Sequence, residues 1–338
     1  MNRVAVLGAG SWGTSLAIVL AENGHDTLLW SHRKEQANEI NIQHTNAKYL
    51  PSTILPDNLK ATSDIAKVVE HAEIIVMAVP TKGIRETCQK MLQTLNKKAL
   101  FVHVSKGIEP DSLMRISEII REEIPAKFIE DIVVLSGPSH AEEVVQHHPT
   151  TVASACENIA SAERIQDLFM NQYFRVYTNE DVVGVEIGGA LKNVIALAAG
   201  AVDGLGFGDN AKAALITRGL AEISRLGVKL GANPLTFAGL AGVGDLIVTC
   251  TSVHSRNWRA GNMLGKGLSL DEILDQMGMV VEGVRTTQAA HQLAAKYDVS
   301  MPISEALYGV LFEGKNPHKV VKELMLREKT QELDATYE

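Results

Sequence analysis

The sequence predicts an α/β domain with a parallel sheet, followed by a mostly α-helical domain. The chain has 338 residues, more than the roughly 250–300 at which one hydrophobic core stops growing. Short β-rich runs alternate with helical patterns in the N-terminal half, which is typical of βαβ units. Beyond about residue 180 the strand signals stop and helical patterns rich in glycine and alanine take over. We therefore predict domains at residues 1–180 and 181–338.

The individual elements follow from hydrophobic periodicity. Strands are predicted at residues 4–7, 27–30, 74–79, 100–104 and 132–135, with two further strands at 151–154 and 173–177. Most of these runs are continuously apolar, as expected for strands covered by helices on both faces. Helices are predicted at 14–22, 180–202, 210–230, 270–277, 285–297 and 302–312. The charged stretch 322–338 is predicted to be a solvated helix with a frayed end.

Composition and charge exclude several classes of protein. The 46% hydrophobic content supports sizeable cores and excludes a disordered chain. The 32 basic and 40 acidic residues give a net charge of −8, so no broad positive field favours nucleic acid. The 11 histidines and three cysteines show neither an HExxH pattern nor a Cys/His ligand spacing, and we predict no metal site. An anionic ligand would be bound by a few placed groups.

Several features favour the cytoplasm. Cys88, Cys156 and Cys250 are widely spaced and form no CxxC pair, which fits a reducing compartment. The N-terminus lacks the layout of a signal peptide. The longest apolar span, 194–202, is shorter than the roughly 20 residues that a bilayer needs, so we predict a buried helix and no stable membrane insertion.

A glycine-rich turn follows the first predicted strand. The sequence there is Gly8-Ala9-Gly10-Ser11-Trp12-Gly13. In such a GxGxxG turn the first glycine makes the tight turn, the second lets the backbone approach a pyrophosphate, and the third lets the helix pack on the strand. This predicts a Rossmann-type dinucleotide-binding domain with Gly8, Gly10 and Gly13 as cofactor-binding residues. A glycine-rich turn without a ligand is the alternative.

The end of the second strand indicates which dinucleotide is bound. NAD-binding domains place Asp or Glu there, whereas this chain has Trp30-Ser31-His32-Arg33. Arg33 can pair bidentately with a 2′-phosphate and His32 adds a donor. NADPH is therefore favoured as the cofactor, with NADH also usable. The alternative is that Arg33 lies in an exposed loop without a ligand.

Two later turns fall at the carboxyl edge of the predicted sheet, where open α/β folds bind ligands. In Ser105-Lys106-Gly107, the glycine allows close backbone approach beside Lys106. In Ser136-Gly137-Pro138-Ser139, the last serine could cap the next helix and form a capping box with Glu142. The same turn could instead surround a ligand, and the two interpretations are compatible.

Lys192 is the one lysine on an apolar, small-residue helix. Gly188 and Ala196 flank it at i−4 and i+4, so this face is narrow enough for close approach of another element or a ligand. A lysine held there would lose solvent, and its pKa would fall toward a value useful for proton transfer. A lysine that reaches solvent is the alternative.

The C-terminal half contains further groups suited to a small phosphorylated carbonyl compound. Asp245, within Gly242-Val243-Gly244-Asp245, could hold a lysine in position or cap a helix, and a hydroxyl follows one helical turn later. In Ser255-Arg256-Asn257, the arginine can clamp a phosphate and the asparagine can donate from its amide. Glu282, after Val280 and Val281, could meet a ribose or an amide. Together with Lys106 and Lys192, these groups supply anion clamps and a proton donor beside a nicotinamide.

Six spaced motifs resemble a known family. They are Gly8 to Thr14, Ser105-Lys106-Gly107, Leu135 to Ser139, Lys192-Asn193, Gly244-Asp245-Leu246 and Ser255-Arg256-Asn257. In this order they are similar to bacterial NAD(P)-dependent glycerol-3-phosphate dehydrogenase, from near residue 4 to about residue 290. The resemblance implies a cytoplasmic oxidoreductase that interconverts dihydroxyacetone phosphate and sn-glycerol 3-phosphate and supplies glycerophospholipid synthesis.

The resemblance also implies roles for individual residues. The implied cofactor contacts are Ser11, Trp12, His32, Arg33, Lys106, Ala141, Arg256, Val280 and Glu282. The implied substrate contacts are Lys106, Gly137, Ser139, Lys192, Asp245, Ser255, Arg256 and Asn257. Lys192 matches the family's catalytic lysine. We therefore hypothesise that Lys192 exchanges the proton, that Asp245 orients it, and that Lys106 polarises or positions the substrate.

Two other functions fit parts of the sequence. A related two-domain dehydrogenase of the 6-phosphogluconate or ketopantoate type would share the Rossmann half and a helical second half, although the Gly244-Asp245 and Ser255-Arg256-Asn257 motifs weigh against it. A non-catalytic NADP(H)-sensing module is the alternative from a different class. A homodimer is expected from the resemblance and from the commonness of two-fold assemblies.

Overall fold

The structure is a computed structural model that describes residues 1–278 and 280–332. The chain divides into two compact units. Unit 1 comprises Met1–Ser105 and Ile116–Val182, and unit 2 comprises Lys106–Arg115 together with the chain from Val183 onward. The short segment Lys106–Arg115 therefore packs as part of unit 2, although unit 1 flanks it on both sides in sequence.

Unit 1 is built on a single sheet, which within the described chain has eight strands. The strands are β1 Arg3–Leu7, β2 Asp26–Trp30, β3 Lys60–Thr62, β4 Ile74–Met77, β5 Ala99–His103, β6 Ile129–Ser136, β7 Thr150–Ala155 and β8 Phe174–Asn179. Their order is β3-β2-β1-β4-β5-β6-β7-β8. Each neighbouring pair is parallel except β6 and β7, which run antiparallel. The sheet is therefore mixed, which differs from the predicted parallel sheet at this one pair.

Helices connect the strands of unit 1 and bury its apolar core. They are α1 Ser11–Glu22, α2 Lys34–Gln43, α3 Ile65–His71, α4 Ile84–Leu92, α5 Ile116–Glu123, α6 Ala141–Val144 and α7 Ile159–Phe169. The strands at the centre are fully buried, as in Ile74–Met77 and Ala99–His103, because helices cover both faces of such a sheet. The parallel order brings the carboxyl ends of β1, β2 and β4 to one edge.

From Val183 onward, the regular secondary structure of the described part of unit 2 is helical, whereas its segment Lys106–Arg115 contains no helix. Its helices are α8 Val182–Gly204, α9 Asp209–Lys229, α10 Asp245–Thr251, α11 Arg256–Gly265, α12 Leu270–Met277, α13 Glu282–Tyr297, α14 Pro302–Phe312 and α15 Pro317–Met325. A 3-10 helix at Pro234–Ala238 and a π-type turn at Leu240–Gly244 precede α10. Of the predicted terminal helix at 322–338, only the end of α15 is helical, and residues 333–338 lie outside the described residues.

Helix α8 is the central helix of unit 2. It has 23 residues and is long and apolar enough to cross a membrane by length and composition alone. However, 94% of its most apolar stretch is buried inside the protein. The apolar helix is therefore longer than the predicted span 194–202 and is long enough to cross a bilayer, whereas its predicted burial is confirmed. Helix propensity and an almost continuous apolar surface explain why such a helix forms the core of a unit.

Glycines let α8 and α11 cross at backbone contact distance. A Cβ atom added to Gly200 would lie 2.0 Å from the carbonyl oxygen of Trp258, and one added to Gly261 would lie 1.9 Å from that of Leu197. Gly204 and Gly265 are equally close to backbone of the opposite helix. Because no larger side chain fits between the helices, the register of α11 against α8 is fixed by packing.

The cysteines do not form disulfides among the described residues. Cys88, Cys156 and Cys250 are free and buried. Burial raises the pKa of the Cys88 and Cys250 thiols to about 12, so both stay protonated and unreactive at neutral pH. This agrees with the expectation of a chain without a disulfide framework.

Candidate functional site

The glycine-rich turn of unit 1 has the geometry that a dinucleotide requires. Gly8 has φ +118°, and a Cβ atom there would lie 2.6 Å from the carbonyl oxygen of Ala78. A Cβ atom on Gly13 would lie 1.9 Å from the carbonyl oxygen of Gly8. At Gly10, by contrast, no described atom lies within 4 Å of an added Cβ. The turn is therefore tight at its base and open at the middle glycine, where a pyrophosphate approaches the backbone.

The first turn of α1 continues this site. Gly10 occupies the N-cap, and among the described residues no side chain caps the helix there, so the first N–H groups are available to an anion. The Ser11 hydroxyl donates to the carbonyl oxygen of Tyr49 at 3.0 Å. The Trp12 ring is half-buried and packs on the core of unit 1. The residues present thus fit a dinucleotide phosphate.

The predicted 2′-phosphate residues lie at the end of β2. Leu7 pairs with Trp30, and Gly8 N donates to the carbonyl oxygen of Trp30 at 3.1 Å, so this strand end is adjacent to the glycine-rich turn. His32 is exposed and Arg33 is half-buried. The Arg33 guanidinium donates to Gln36 Oε1 at 3.0 Å and lies 5.9 Å from the centre of the Tyr49 ring.

The turn after β6 differs from the capping-box prediction. Helix α6 begins at Ala141 with His140 at the N-cap, and the Ser139 hydroxyl donates to the carbonyl oxygen of Gly137 at 2.9 Å. The predicted capping box between Ser139 and Glu142 is therefore wrong. Ser139 lies one residue before the N-cap, and its hydroxyl bonds within its own turn. Gly137 has φ +148° and its backbone lies against Val152. Ala141 accepts a hydrogen bond from Ser15 of α1.

Lys192 is buried in the middle of α8, with 6% of its surface exposed. An added Cβ on Gly188 would lie 2.5 Å from the carbonyl oxygen of Ala241, so another element approaches this face of α8 closely, as its small residues predicted. The alternative in which Lys192 reaches solvent is wrong. Its charged end is instead held inside unit 2 by polar groups.

Asp245 joins two lysines. Its Oδ1 accepts from Lys192 Nζ at 2.6 Å and its Oδ2 accepts from Lys106 Nζ at 2.7 Å, and the carboxylate is 1% exposed. Lys192 Nζ also donates to Thr249 Oγ1 at 2.7 Å, and that hydroxyl donates to the carbonyl oxygen of Asp245 at 2.6 Å. One carboxylate therefore orients both lysines, and the capping alternative for Asp245 does not hold.

The surroundings of Lys192 lower its pKa. Burial lowers the pKa of Lys192 from 10.5 to about 8, and the neighbouring Lys106 acts in the same direction. The Asp245 carboxylate opposes this shift by stabilising the ammonium form. A group with a pKa near the working pH can both donate and accept a proton, so this lysine can act in either direction of a reversible reaction.

A chain of amides connects this centre to α11 and α13. Asn193 Nδ2 donates to the carbonyl oxygen of Lys106 at 3.0 Å, and Asn257 Nδ2 donates to Asn193 Oδ1 at 2.8 Å. Gly283 N donates to Asn257 Oδ1 at 2.9 Å. Asn257 is consequently fixed from both ends, and its neighbour Arg256 is placed at the same end of α11.

The first turn of α11 carries the predicted phosphate clamp. The Ser255 hydroxyl accepts from Trp258 N and caps the helix. Arg256 is exposed, and its Nη1 lies 3.5 Å from the carbonyl oxygen of Val280. Glu282 is the first residue of α13. Lys106, Lys192, Asp245, Ser255, Arg256, Asn257, Val280 and Glu282 all belong to unit 2, whereas Gly137, Ser139 and Ala141 belong to unit 1.

Comparison with known proteins identifies the family. Residues 3–162 match the model of the NAD-dependent glycerol-3-phosphate dehydrogenase N-terminus, and residues 181–322 match the model of its C-terminus. The chain belongs to the NAD-dependent glycerol-3-phosphate dehydrogenase family. The glycerol-3-phosphate dehydrogenase [NAD(P)+] of Lysinibacillus sphaericus is 73% identical over 334 residues, covering 99% of each chain.

Solved structures agree with this membership. The glycerol-3-phosphate dehydrogenase of Coxiella burnetii is 38% identical, with a TM-score of 0.92 and coverage of 96% of this chain and 99% of that one. A ketopantoate reductase from Ralstonia eutropha has a TM-score of 0.59 at 14% identity, covering 95% and 99%, which shows a shared fold alone. The chain is therefore a glycerol-3-phosphate dehydrogenase and not a dehydrogenase of the ketopantoate type.

Two residues beside the lysines were noted in the sequence of this glycerol-3-phosphate dehydrogenase but were given no role there. Thr249 contacts Lys192 Nζ, and Asn193 joins Lys106 to Asn257. Thr249 lies one helical turn after Asp245, so the i,i+4 spacing could have shown that both side chains share a face of α10. Asn193 belongs to the Lys192-Asn193 motif, but its hydrogen bonds join three separate segments and could not be predicted from that motif.

Proposed function

We propose that this glycerol-3-phosphate dehydrogenase uses Lys192 as the proton donor and acceptor in the interconversion of dihydroxyacetone phosphate and sn-glycerol 3-phosphate. The observation that carries the proposal is the buried Lys192–Asp245 pair, with the lysine pKa lowered to about 8 by burial. An oxidoreductase of this kind needs one group that protonates an alkoxide in reduction and deprotonates an alcohol in oxidation.

Three residues of unit 2 have separate roles in the proposed reaction. When bound, the reduced nicotinamide supplies the hydride that reaches the ketone carbon. Lys192 Nζ donates a proton to the oxygen on which negative charge develops, and it accepts that proton in the reverse direction. Among the described residues Nζ donates to two oxygens, which leaves one of its three N–H bonds for the substrate. Asp245 orients Lys192, and Lys106 stabilises the charge that develops on the substrate.

The phosphate end of the substrate calls for fixed donors and a cation. Arg256 and Asn257, at the N-terminal end of α11, supply a guanidinium fork and an amide. Asn257 is held rigidly by Asn193 and Gly283, which supports a role in positioning the substrate. Ser255, Gly137 and Ser139 complete the proposed substrate contacts.

For the cofactor we propose NADPH in preference to NADH. Arg33 and His32 follow β2, where a carboxylate would favour NADH, and both carry groups that pair with a 2′-phosphate. Gly8, Gly10 and Gly13 would form the pyrophosphate turn. The remaining proposed cofactor contacts are Ser11, Trp12, Lys106, Ala141, Arg256, Val280 and Glu282.

The loss of nicotinamide absorbance with dihydroxyacetone phosphate tests this function. We expect rapid oxidation of NADPH, slower oxidation of NADH at equal concentration, and no reaction with ketopantoate. The variant Arg33→Ala is expected to raise the KM for NADPH at least about tenfold more than that for NADH, because a charge-assisted pair is lost. Equal effects on both cofactors would refute the role of Arg33, and no oxidation with either cofactor would refute the proposed reaction.

The proposed function also predicts the compartment, the metabolic role and the oligomeric state of the enzyme. We propose that it acts in the cytoplasm, supplies glycerophospholipid synthesis, works without a metal ion and forms a homodimer. The expected domain limits at 1–180 and 181–338 likewise stay a prediction. Light scattering of the purified protein distinguishes a dimer from a monomer.

A further inference from the structure

Two buried amides lie between the end of β2 and the glycine-rich turn of unit 1. They are Gln36, on α2, and Asn46, in the loop after α2, which are 5% and 0% exposed. A buried amide is costly unless its donors and acceptors are satisfied. Their partners therefore indicate what these two side chains hold in place.

Gln36 contacts both parts of the proposed cofactor site. Its Nε2 donates to the carbonyl oxygen of Ala9 at 2.6 Å and to Asn46 Oδ1 at 3.0 Å. Its Oε1 accepts from Ser31 Oγ at 2.7 Å and from Arg33 Nη2 at 3.0 Å. One side chain thus connects the glycine-rich turn to the arginine that follows β2.

Asn46 strengthens the same connection. Its Nδ2 donates to the carbonyl oxygen of Ala9 at 3.1 Å and to Thr14 Oγ1 at 2.8 Å. The carbonyl oxygen of Ala9 consequently accepts from two amides, and this fixes the Ala9–Gly10 peptide. Thr14 is 0% exposed and lies in the first turns of α1, so the network also includes the helix that follows the turn.

We infer that Gln36 and Asn46 are positioning residues for cofactor selection, with Gln36 holding the Arg33 guanidinium in register with the pyrophosphate turn. The inference rests on the NADPH preference proposed above. A free arginine side chain samples many rotamers, and ordering it on binding reduces affinity. Gln36 Oε1 takes one of the five guanidinium N–H groups, and the planar fork retains other donors for a phosphate.

The inference predicts that Gln36 acts on discrimination between cofactors and that this action requires Arg33. We expect Gln36→Met to lower the ratio of kcat/KM for NADPH to kcat/KM for NADH by about fivefold or more, since the acceptor of a charge-assisted hydrogen bond is lost. In the Arg33→Ala background the same change should leave the ratio within about twofold. If Gln36→Met does not fold, Gln36→Asn, which keeps a buried amide but is one methylene shorter, replaces it.

Asn41 provides the matched control on the same helix. Its amide donates to the carbonyl oxygen of Ala61 and accepts from Ala61 N, both at 2.8 Å, and so ties α2 to β3. We expect Asn41→Met to lower the Tm but to leave the cofactor ratio unchanged.

Three outcomes overturn the inference. The first is that Gln36→Met lowers kcat/KM equally for both cofactors, as a purely structural amide would. The second is that it lowers the ratio to the same extent with Arg33 absent. The third is that Arg33→Ala itself leaves the ratio unchanged, and in that case the proposed NADPH preference fails first and this inference falls with it.

Discussion

Lys192 depends on its partners for its charge state and orientation. Without the lysine, the developing alkoxide loses its proton donor, so Lys192→Ala is expected to lower kcat by about a thousandfold or more. Binding of NADPH should change little, because Lys192 is not among the proposed cofactor contacts and the glycine-rich turn belongs to unit 1. Stopped-flow turnover and equilibrium titration of the cofactor measure the two effects.

Lys229→Ala is the control for that experiment, since Lys229 is an exposed lysine in the last turn of α9. Turnover of this variant should match the parent enzyme. Near-normal turnover of Lys192→Ala would instead show that another group exchanges the proton.

The lowered pKa of Lys192 predicts opposite pH dependences for the two directions. Burial brings this pKa to about 8. Reduction needs the protonated amine, so kcat/KM for dihydroxyacetone phosphate should fall as the pH rises through about 8. Oxidation needs the neutral amine and should rise over the same interval. The profile of Lys192→Arg, whose residual activity cannot titrate there, should be flat, and a shared profile in both directions would contradict the assignment.

At the residue scale the sequence predicted the residue types and one contact, that of Asp245 with Lys192, but not the rest of the network. Lys192, Asp245 and Lys106 were selected from their local sequence patterns, the family resemblance agreed, and the small residues around Lys192 indicated that it is buried. That one carboxylate joins both lysines could not be read from spacing, because the three residues are 86 and 53 positions apart. Contacts over such separations depend on how the helices pack. The capping box predicted for Ser139 failed for a local reason: the hydroxyl donates to the carbonyl oxygen of Gly137 in the preceding turn and does not cap the helix.

At the scale of elements, the crossing of α8 and α11 is set by glycine. Gly261→Ala would place a methyl group 1.9 Å from the carbonyl oxygen of Leu197, and the helices must separate. We expect a loss of about 1–3 kcal/mol in the free energy of unfolding, measured by urea denaturation. The KM for dihydroxyacetone phosphate should also rise, because Arg256 and Asn257 move with α11.

Gly208→Ala is the comparison for this change. No described atom lies within 4 Å of a Cβ atom added to Gly208, so its KM should stay close to that of the parent. Its stability should fall only by the preference for Gly over Ala at the N-cap of α9. A stable Gly261→Ala variant with an unchanged KM would show that the crossing tolerates a methyl group.

Glu222 of α9 supports the start of α14. Its carboxylate accepts from Ile303 N at 2.6 Å and from Ser304 N at 3.1 Å, and burial raises its pKa to about 7. Because the folded-state pKa exceeds that of an unfolded Glu, the protonated form favours folding. Its contribution to stability is complete below about pH 4.3 and is lost as the pH rises through about 7.

Relative to Glu222→Gln, the parent enzyme should therefore become less stable as the pH rises over that interval. Thermal unfolding at several pH values gives the difference in Tm between the two proteins. A difference independent of pH would mean that Glu222 does not titrate in the folded state.

Among the elements, long and strongly periodic ones were predicted well. The helices Leu270–Met277 and Pro302–Phe312 have the predicted bounds, and both extra strands, Thr150–Ala155 and Phe174–Asn179, are present. The three-residue strand β3 was missed, because it is too short to show alternation. The antiparallel direction of β7 was also missed, since strand direction is set by the connection and not by the strand's own residues.

For the whole molecule, the alternation of strand and helix patterns and the glycine-rich turn predicted a dinucleotide-binding half. The change in composition near residue 180 predicted a helical half, and family membership agrees with both. What composition could not predict is that Lys106–Arg115 packs with unit 2. The segment is polar and lies between two unit 1 elements, β5 and α5, so its sequence resembles an ordinary connection. Its partners Asp245 and Asn193 come from the other half of the chain.

The placement of this segment affects how the enzyme can be recombined with its relatives. A chimaera joined near residue 182 takes Lys106 from one parent and Lys192, Asn193 and Asp245 from the other. The proposed catalytic centre is then a mixture of both parents, even though each half is intact. Grafting residues 106–115 along with the C-terminal half keeps the centre from a single parent. The segments that form the proposed catalytic centre are therefore discontinuous in sequence. A single crossover between two parent genes cannot transfer them together.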